Sequence, residues 1–251
     1  MKVRTVFAGW LGVACLMLVH SAMGEIREDF SNGFPGKAGG GWEGPWTEKT
    51  LACRFTSVSA VPGPLEPSGS GSLRVEGESE SAQACNASLS RQYGGDELAL
   101  EGPVQYSFAV RLDRFSPDLR YAIFDASAAQ VGTGANVTWL ISAIGGFWTA
   151  FDGQGDDREA GEMPLGIPVR EGIVYTVRVT AFPGQRKWEV ELTDGLRTAV
   201  LRNLNFRSRA ETLGGYLHYG FSDNKPATPS QFGFTLGTIT MKPAEDTGSA
   251  H

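Results

Sequence analysis

Apolar and polar residues alternate along most of the chain with the period of two that marks a β-strand with one face on a core. Val104, Tyr106, Phe108, Val110 and Leu112 hold one phase, and Gln105, Ser107, Ala109, Arg111 and Asp113 the other. Residues 121–125, 137–144 and 147–151 read as further strands. The last two of these are apolar on both faces, which predicts central positions, and Gly145-Gly146 marks the turn between them. Residues 173–180 and 188–192 form a hairpin around Pro183-Gly184, with Ile173, Tyr175, Val177 and Val179 facing the same core as Trp188, Val190 and Leu192. In either register Arg178 lies opposite a glutamate, Glu189 or Glu191. Residues 215–221 and 231–241 close the pattern. Phe232, Phe234 and Leu236 share a phase that Ile239 and Met241 leave, so a bulge or bend is expected at Gly237. Ten to thirteen short strands and no helix predict an all-β fold, a two-sheet antiparallel jelly-roll β-sandwich.

Composition supports this reading. The 33 Gly and 13 Pro fall largely between the alternating runs, as turns, and the 41% hydrophobic content is too high for a disordered chain. The length of 251 residues suits one undivided sandwich, and no internal repeat is present. Residues 62–71 are the most linker-like, but too little chain precedes them to build a separate core.

The N-terminus has the order of a secretory signal. Lys2 and Arg4 precede an apolar run over 6–19, and Ala22-Met23-Gly24 places small residues before a cut at Glu25. The expected organisation is a signal peptide over 1–24, a sandwich over 25–242 and a polar tail over 243–251. The address is extracellular, periplasmic or cell-surface, with no transmembrane segment in the mature chain. Cleavage leaves 20 basic and 28 acidic residues and moves the formal charge from −6 to −8. With no basic cluster to offset it, this balance argues against nucleic acid and anionic membranes as partners.

Loss of Cys15 with the leader leaves Cys53 and Cys85. Each is in phase with apolar neighbours, Leu51 and Phe55 for the first, Ala87 and Leu89 for the second. In an oxidising compartment they are expected to pair, which would stabilise the fold by roughly 3–4 kcal/mol. Two separate buried thiols are the alternative, since sequence does not fix the Cα separation.

Four stretches stand out: Glu28-Asp29-Phe30 through Trp42-Glu43-Gly44-Pro45-Trp46, then Gly69-Ser70-Gly71-Ser72-Leu73-Arg74-Val75 followed by 87–92, then the hairpin with Tyr175 and Trp188 ending in Asp194-Gly195, and last Phe232-Gly233-Phe234 through Ile239-Thr240. In these the chain resembles the concanavalin A-like lectin/glucanase superfamily, in its laminin-G-like branch. The resemblance implies a sandwich that binds glycans or other extracellular ligands, on a superfold that also hosts glycanases and lyases.

Laminarinase-like members carry E-x-D-x-E on one strand. Here Glu189-Val190-Glu191-Leu192-Thr193 keeps two acids on one face but lacks the central Asp and the last Glu, so a charge-paired outer strand is the stronger reading. Lyase-like members need a polar strand histidine; His218 is the only histidine of the mature chain besides His251, and a hydrogen-bonded strand residue is the commoner role. The segment Asp152-Gly153-Gln154-Gly155-Asp156-Asp157 is oxygen-rich and could hold Ca²⁺, without EF-hand spacing, or serve as a turn. Trp148 precedes it as a ring for stacking on sugar, whereas Trp42 and Trp46 suit core capping and Trp139 and Trp188 the core itself. The sequons at Asn86 and Asn136 matter where the host glycosylates.

The sequence therefore predicts a secreted, non-catalytic module for a glycan or other extracellular ligand, sited at Trp148, Asp152, Asp156 and Asp157. A polysaccharide hydrolase or lyase using Glu189, Glu191 or His218 is the alternative, and a structural envelope component the third reading.

Overall fold

The structure is a computed structural model and describes residues 24–63, 65, 71–79, 84–94, 98–130, 136–153, 160–223 and 230–244. The expected leader, most of the polar tail, and Asp156 and Asp157 lie outside the described residues. Strands β1 (Ile26–Glu28), β2 (Thr47–Leu51), β3 (Cys53–Pro62), β4 (Gly71–Ser79) and β5 (Cys85–Gln92) are followed by β6 (Val104–Arg114), β7 (Leu119–Ala126), β8 (Val137–Ile144), β9 (Phe147–Gly153) and β10 (Ala160–Pro168). Then come β11 (Val174–Phe182), β12 (Lys187–Thr193), β13 (Thr198–Asn205), β14 (Tyr216–Asp223) and β15 (Gln231–Pro243).

These form the two antiparallel sheets that the alternation predicts. Sheet one has the order β13-β12-β11-β6-β15-β4-β3, with β1 also on β15, and sheet two has the order β10-β9-β8-β7-β14-β5-β2. The strands number fifteen, above the expected range. The additional ones include β10, whose Pro164, Pro168 and Gly166 hide it from a propensity reading.

Alternation sets the core. On β6 Val104, Tyr106, Phe108, Val110 and Leu112 are all buried while Gln105, Ser107, Arg111 and Asp113 stay half-exposed. On β12 Trp188, Val190 and Leu192 point inward, and Trp139 meets Tyr106 at 5.0 Å and Trp188 at 6.3 Å between ring centroids. Arg178 pairs across the hairpin with Glu191, which fixes the register left open by the sequence. The ladder between β15 and β6 shifts between Leu236 and Ile239, the bulge expected at Gly237. Ile173, expected to face inward, lies just before β11 and is 37% exposed.

Cys53 and Cys85 are bonded, with Cα atoms 5.3 Å apart, and the bridge joins β3 of sheet one to β5 of sheet two. Leu51 does not share the inward phase of Cys53. Ala52, at φ 56°, turns the chain from β2 in one sheet into β3 in the other and leaves Leu51 exposed.

Beneath the entry segment lies a buried ion pair that alternation alone does not show. The Arg91 guanidinium bonds Glu28, donates to the carbonyls of Gly44 (2.9 Å) and Lys37 (2.7 Å), and sits 4.4 Å from the Trp42 ring centroid. Trp42 and Trp46 are both 4% exposed, so they cap the core as the sequence suggests. Burial lowers the Arg91 pKa to about 10, but a carboxylate, two backbone carbonyls and an aromatic ring hold its charge in place.

Candidate functional site

The residues singled out by sequence do not meet in one place. Trp148 is 0% exposed and stands edge-on to Tyr175 at 5.2 Å, inside the sandwich. Phe147, its neighbour in the opposite phase, is the exposed one. A ring sealed between sheets cannot stack on a surface sugar, so the expected role for Trp148 is corrected to core packing. Asp152 accepts hydrogen bonds from the Asn205 backbone (2.6 Å) and its side-chain amide (2.8 Å), which ties β9 to the end of β13. Among the described residues no three His, Cys, Asp or Glu side chains cluster as metal ligands.

Glu189 and Glu191 occupy the outward face of sheet one. Glu191 pairs with Arg178 at 3.2 Å and Glu189 with Arg202 at 3.6 Å, all at the surface. His218 lies on the outward face of sheet two yet is fully buried, stacked on Phe124 at 4.4 Å. A carbonyl only accepts, so Nε2–H donates to Ala128 O (3.1 Å) and Nδ1 accepts from the Ser88 hydroxyl (3.2 Å). Burial, aided by the Lys49 charge, lowers the imidazole pKa to about 4, so the ring is neutral and both nitrogens are occupied.

Two clefts open at opposite ends of β7. The first, of about 460 Å³, is bounded by Arg114, Phe115, Ser116, Leu119, Glu171, Ser230 and Gln231. It is built from strand ends and a turn: β6 ends at Arg114 just before Phe115, β7 begins at Leu119, β15 begins at Gln231, and Glu171 lies in the turn before β11. Its polar groups are oriented. The Phe115 backbone N–H donates to Glu171 Oε1 (2.6 Å), and Arg114 donates to the Gln231 side-chain carbonyl. The Tyr121 hydroxyl donates to the Arg114 carbonyl from below and accepts from Gly233 N–H (3.1 Å). Phe115 is half-buried, its ring 6.3 Å from that of Tyr121.

The second cleft, of about 250 Å³, lies where the start of the β7–β8 connection meets residues 206–215. Behind it sits Asp125, 0% exposed, which accepts from the Tyr93 hydroxyl (2.7 Å) and from Gly214 N–H (2.6 Å). Burial raises the Asp125 pKa to about 6, against the pull of hydrogen bonds from Thr138, Gly214, Tyr93 and Gly215.

Sequence reasoning missed both clefts. Their residues sit at strand ends and in turns, where neither period nor motif speaks. The one available signal was polar Asp125 in an inward phase.

The sequence matches no protein-family profile and no curated protein. Solved structures do match. A protein of unknown function from Shewanella oneidensis MR-1 superposes with a TM-score of 0.56 at 13% identity, over 87% of this chain and 85% of that one. A sialidase superposes with a TM-score of 0.53 at 13% identity, over 90% of this chain. The chain spans only 19% of that sialidase's length. These likenesses show the fold alone.

Proposed function

We propose that the protein is a secreted, non-catalytic glycan-binding module of the concanavalin A-like, laminin-G-like kind, with its site in the Arg114–Phe115–Glu171 cleft. The observation that carries this reading is the composition of that cleft: a partly exposed aromatic ring beside a guanidinium, a carboxylate, an amide and two serine hydroxyls. Sugars present an apolar C–H face and a rim of hydroxyls that both donate and accept, and such a lining meets both. Arg114 and Gln231, bonded to each other, and Glu171, held by the Phe115 backbone N–H, lose little freedom on binding. The inter-sheet disulfide supports an oxidising address, in keeping with the leader-like N-terminus.

Binding is favoured over cleavage because Glu171 is the only carboxylate among the described residues lining the cleft. Double displacement at a glycosidic bond needs two carboxylates about 5–5.5 Å apart. The outer-strand pair Glu189 and Glu191 is engaged with arginines at the surface of sheet one.

The test is retention on an immobilised polysaccharide panel, with reducing ends assayed in parallel. Retention without new reducing ends is expected. Phe115→Ala should weaken it about tenfold. Gln231→Ala, at an exposed position, should weaken it several-fold with Tm unchanged. Retention that neither substitution alters would overturn the assignment of the site.

A further inference from the structure

We propose that the second cleft, at the opposite end of the sandwich, is a further glycan site, so that one chain holds two glycan segments at once. This rests on the glycan-binding reading above. Strand β7 runs from Leu119 at the first cleft to Ala126 beside the second. Seven steps of about 3.3 Å place the two about 23 Å apart, too far for one sugar ring to fill both.

The lining points to a polyhydroxyl ligand. Ser127, Asn136, Ser208 and Thr212 supply three hydroxyls and an amide, groups that donate and accept as sugar hydroxyls do, and Leu213 supplies an apolar side. Among these, Ser208 is 6% exposed and its hydroxyl has no hydrogen-bond partner among the described residues. A buried hydroxyl without a partner is costly to keep, and a turn of the Ser208 side chain about χ1 toward the cleft would let a ligand hydroxyl supply one.

The cleft is also held in shape before any ligand arrives. Asp125 fixes Gly214 and Thr138 from behind, and the Tyr93 hydroxyl that bonds Asp125 lies 2.6 Å from the Tyr106 hydroxyl of the other sheet. Leu213 N–H donates to Leu100 O at 3.0 Å. Gly214 passes so close to β7 that a Cβ there would lie 2.1 Å from the Ala126 carbonyl carbon. Any other residue would push the wall outward. A wall fixed from behind spends little binding energy on ordering itself.

Calorimetric titration of the secreted protein with gluco-, galacto- and manno-hexaoses tests this. A bound hexaose is expected at two equivalents per chain. Phe115→Ala should leave one, and Ala210→Trp, which fills the second cleft from an exposed position, should leave the other. Ser208→Ala should weaken the second site about tenfold while leaving Tm equal or higher, because it removes an unpaired buried hydroxyl; a merely structural serine would not move the affinity. One equivalent, lost in Phe115→Ala and untouched in Ala210→Trp, overturns the second site and keeps the first. One equivalent lost only in Ala210→Trp overturns the two-site inference and moves the function to this cleft. No binding by any hexaose overturns both readings.

Discussion

The two sheets share one core, but their outward faces are opposites. Sheet one presents charge to water: Arg54 with Glu78, Arg74 with Glu76, Arg111 with Asp113, Arg178 with Glu191 and Arg202 with Glu189. Sheet two presents Ala122, Phe124, Ala126, Val137, Leu140 and Phe151 as a second, smaller apolar cluster. His218, Ser88 and Ser90 lie beside it, all 0% exposed. The chain leaving β7 returns over this face, where the Ala128 carbonyl meets His218 and the Ala129 carbonyl accepts from the Lys49 ammonium (2.7 Å). A sheet face thus becomes interior when a loop lies on it, and its histidine becomes neutral structure. The sheet that keeps its face open keeps its acids as solvated ion pairs. The polar groups of sheet one's outward face are spent on one another as ion pairs, whereas those at the rim line clefts.

The sharpest way to break this comparison is at Phe124. If the outward face of sheet two is a true second core, Phe124→Ala removes a fully buried ring and its stack on His218. The cost should be about 3–5 kcal/mol in denaturant unfolding. Val200→Ala, at a partly exposed position in the edge strand β13 of sheet one, should stay within about 0.5 kcal/mol. A cost below about 1 kcal/mol at Phe124 would mean that the covering segment opens freely in solution.

Acid offers a second, smaller test, because two buried groups respond in opposite directions. The folded pKa of His218, about 4, lies below its ordinary value of 6.5, so between those values the unfolded chain takes up a proton that the fold refuses. Its contribution is whole above about pH 6.5 and lost as pH falls to 4, an effect of about 3 kcal/mol. The folded pKa of Asp125, about 6, lies above 3.8, so the fold takes up its proton first. That contribution is whole below about pH 3.8 and lost as pH rises through 6, also about 3 kcal/mol. The two nearly cancel between pH 6 and 4. His218→Gln should therefore leave a protein that gains stability on acidification over that range, and Asp125→Asn one that loses it. Parallel pH profiles for both variants would show that neither group is held as the structure has it.

The same contrast explains what the sequence could disclose. Period two was enough for β6 and β12, where one face is wet, and it located the bulge at Gly237 and the facing of Cys53 and Cys85. On β8 it read apolar residues on both faces as centrality in the sheet. Strand β8 does lie inside its sheet, between β7 and β9; the covering of its outer face depends on a loop with no period of its own. Trp148 was misplaced for a related reason: in a strand apolar on both phases, alternation cannot say which phase is inward, and Phe147 took the exposed side. The clefts were beyond reach because each is assembled from strand ends far apart in sequence, such as Arg114 with Glu171 and Gln231. Asp125 carried a signal, a carboxyl in an inward phase, but its partners Tyr93 and Gly214 come from distant parts of the chain.

The smallest expected effect lies on the open face. Arg178 and Glu191 are cross-strand partners with side chains 51% and 42% exposed. Water already solvates both charges, so a double-mutant cycle of Arg178→Ala and Glu191→Gln should give a coupling of about 0.2–1 kcal/mol that shrinks as salt is raised. The same Glu191→Gln should leave glycan retention unchanged, because the pair lies on an open strand surface away from both clefts. A large coupling, insensitive to salt, would place these acids in a shielded environment and make the outward face of sheet one more like that of sheet two. Loss of retention with Glu191→Gln would go further and bring the ligand onto the open face, against the rim assignment.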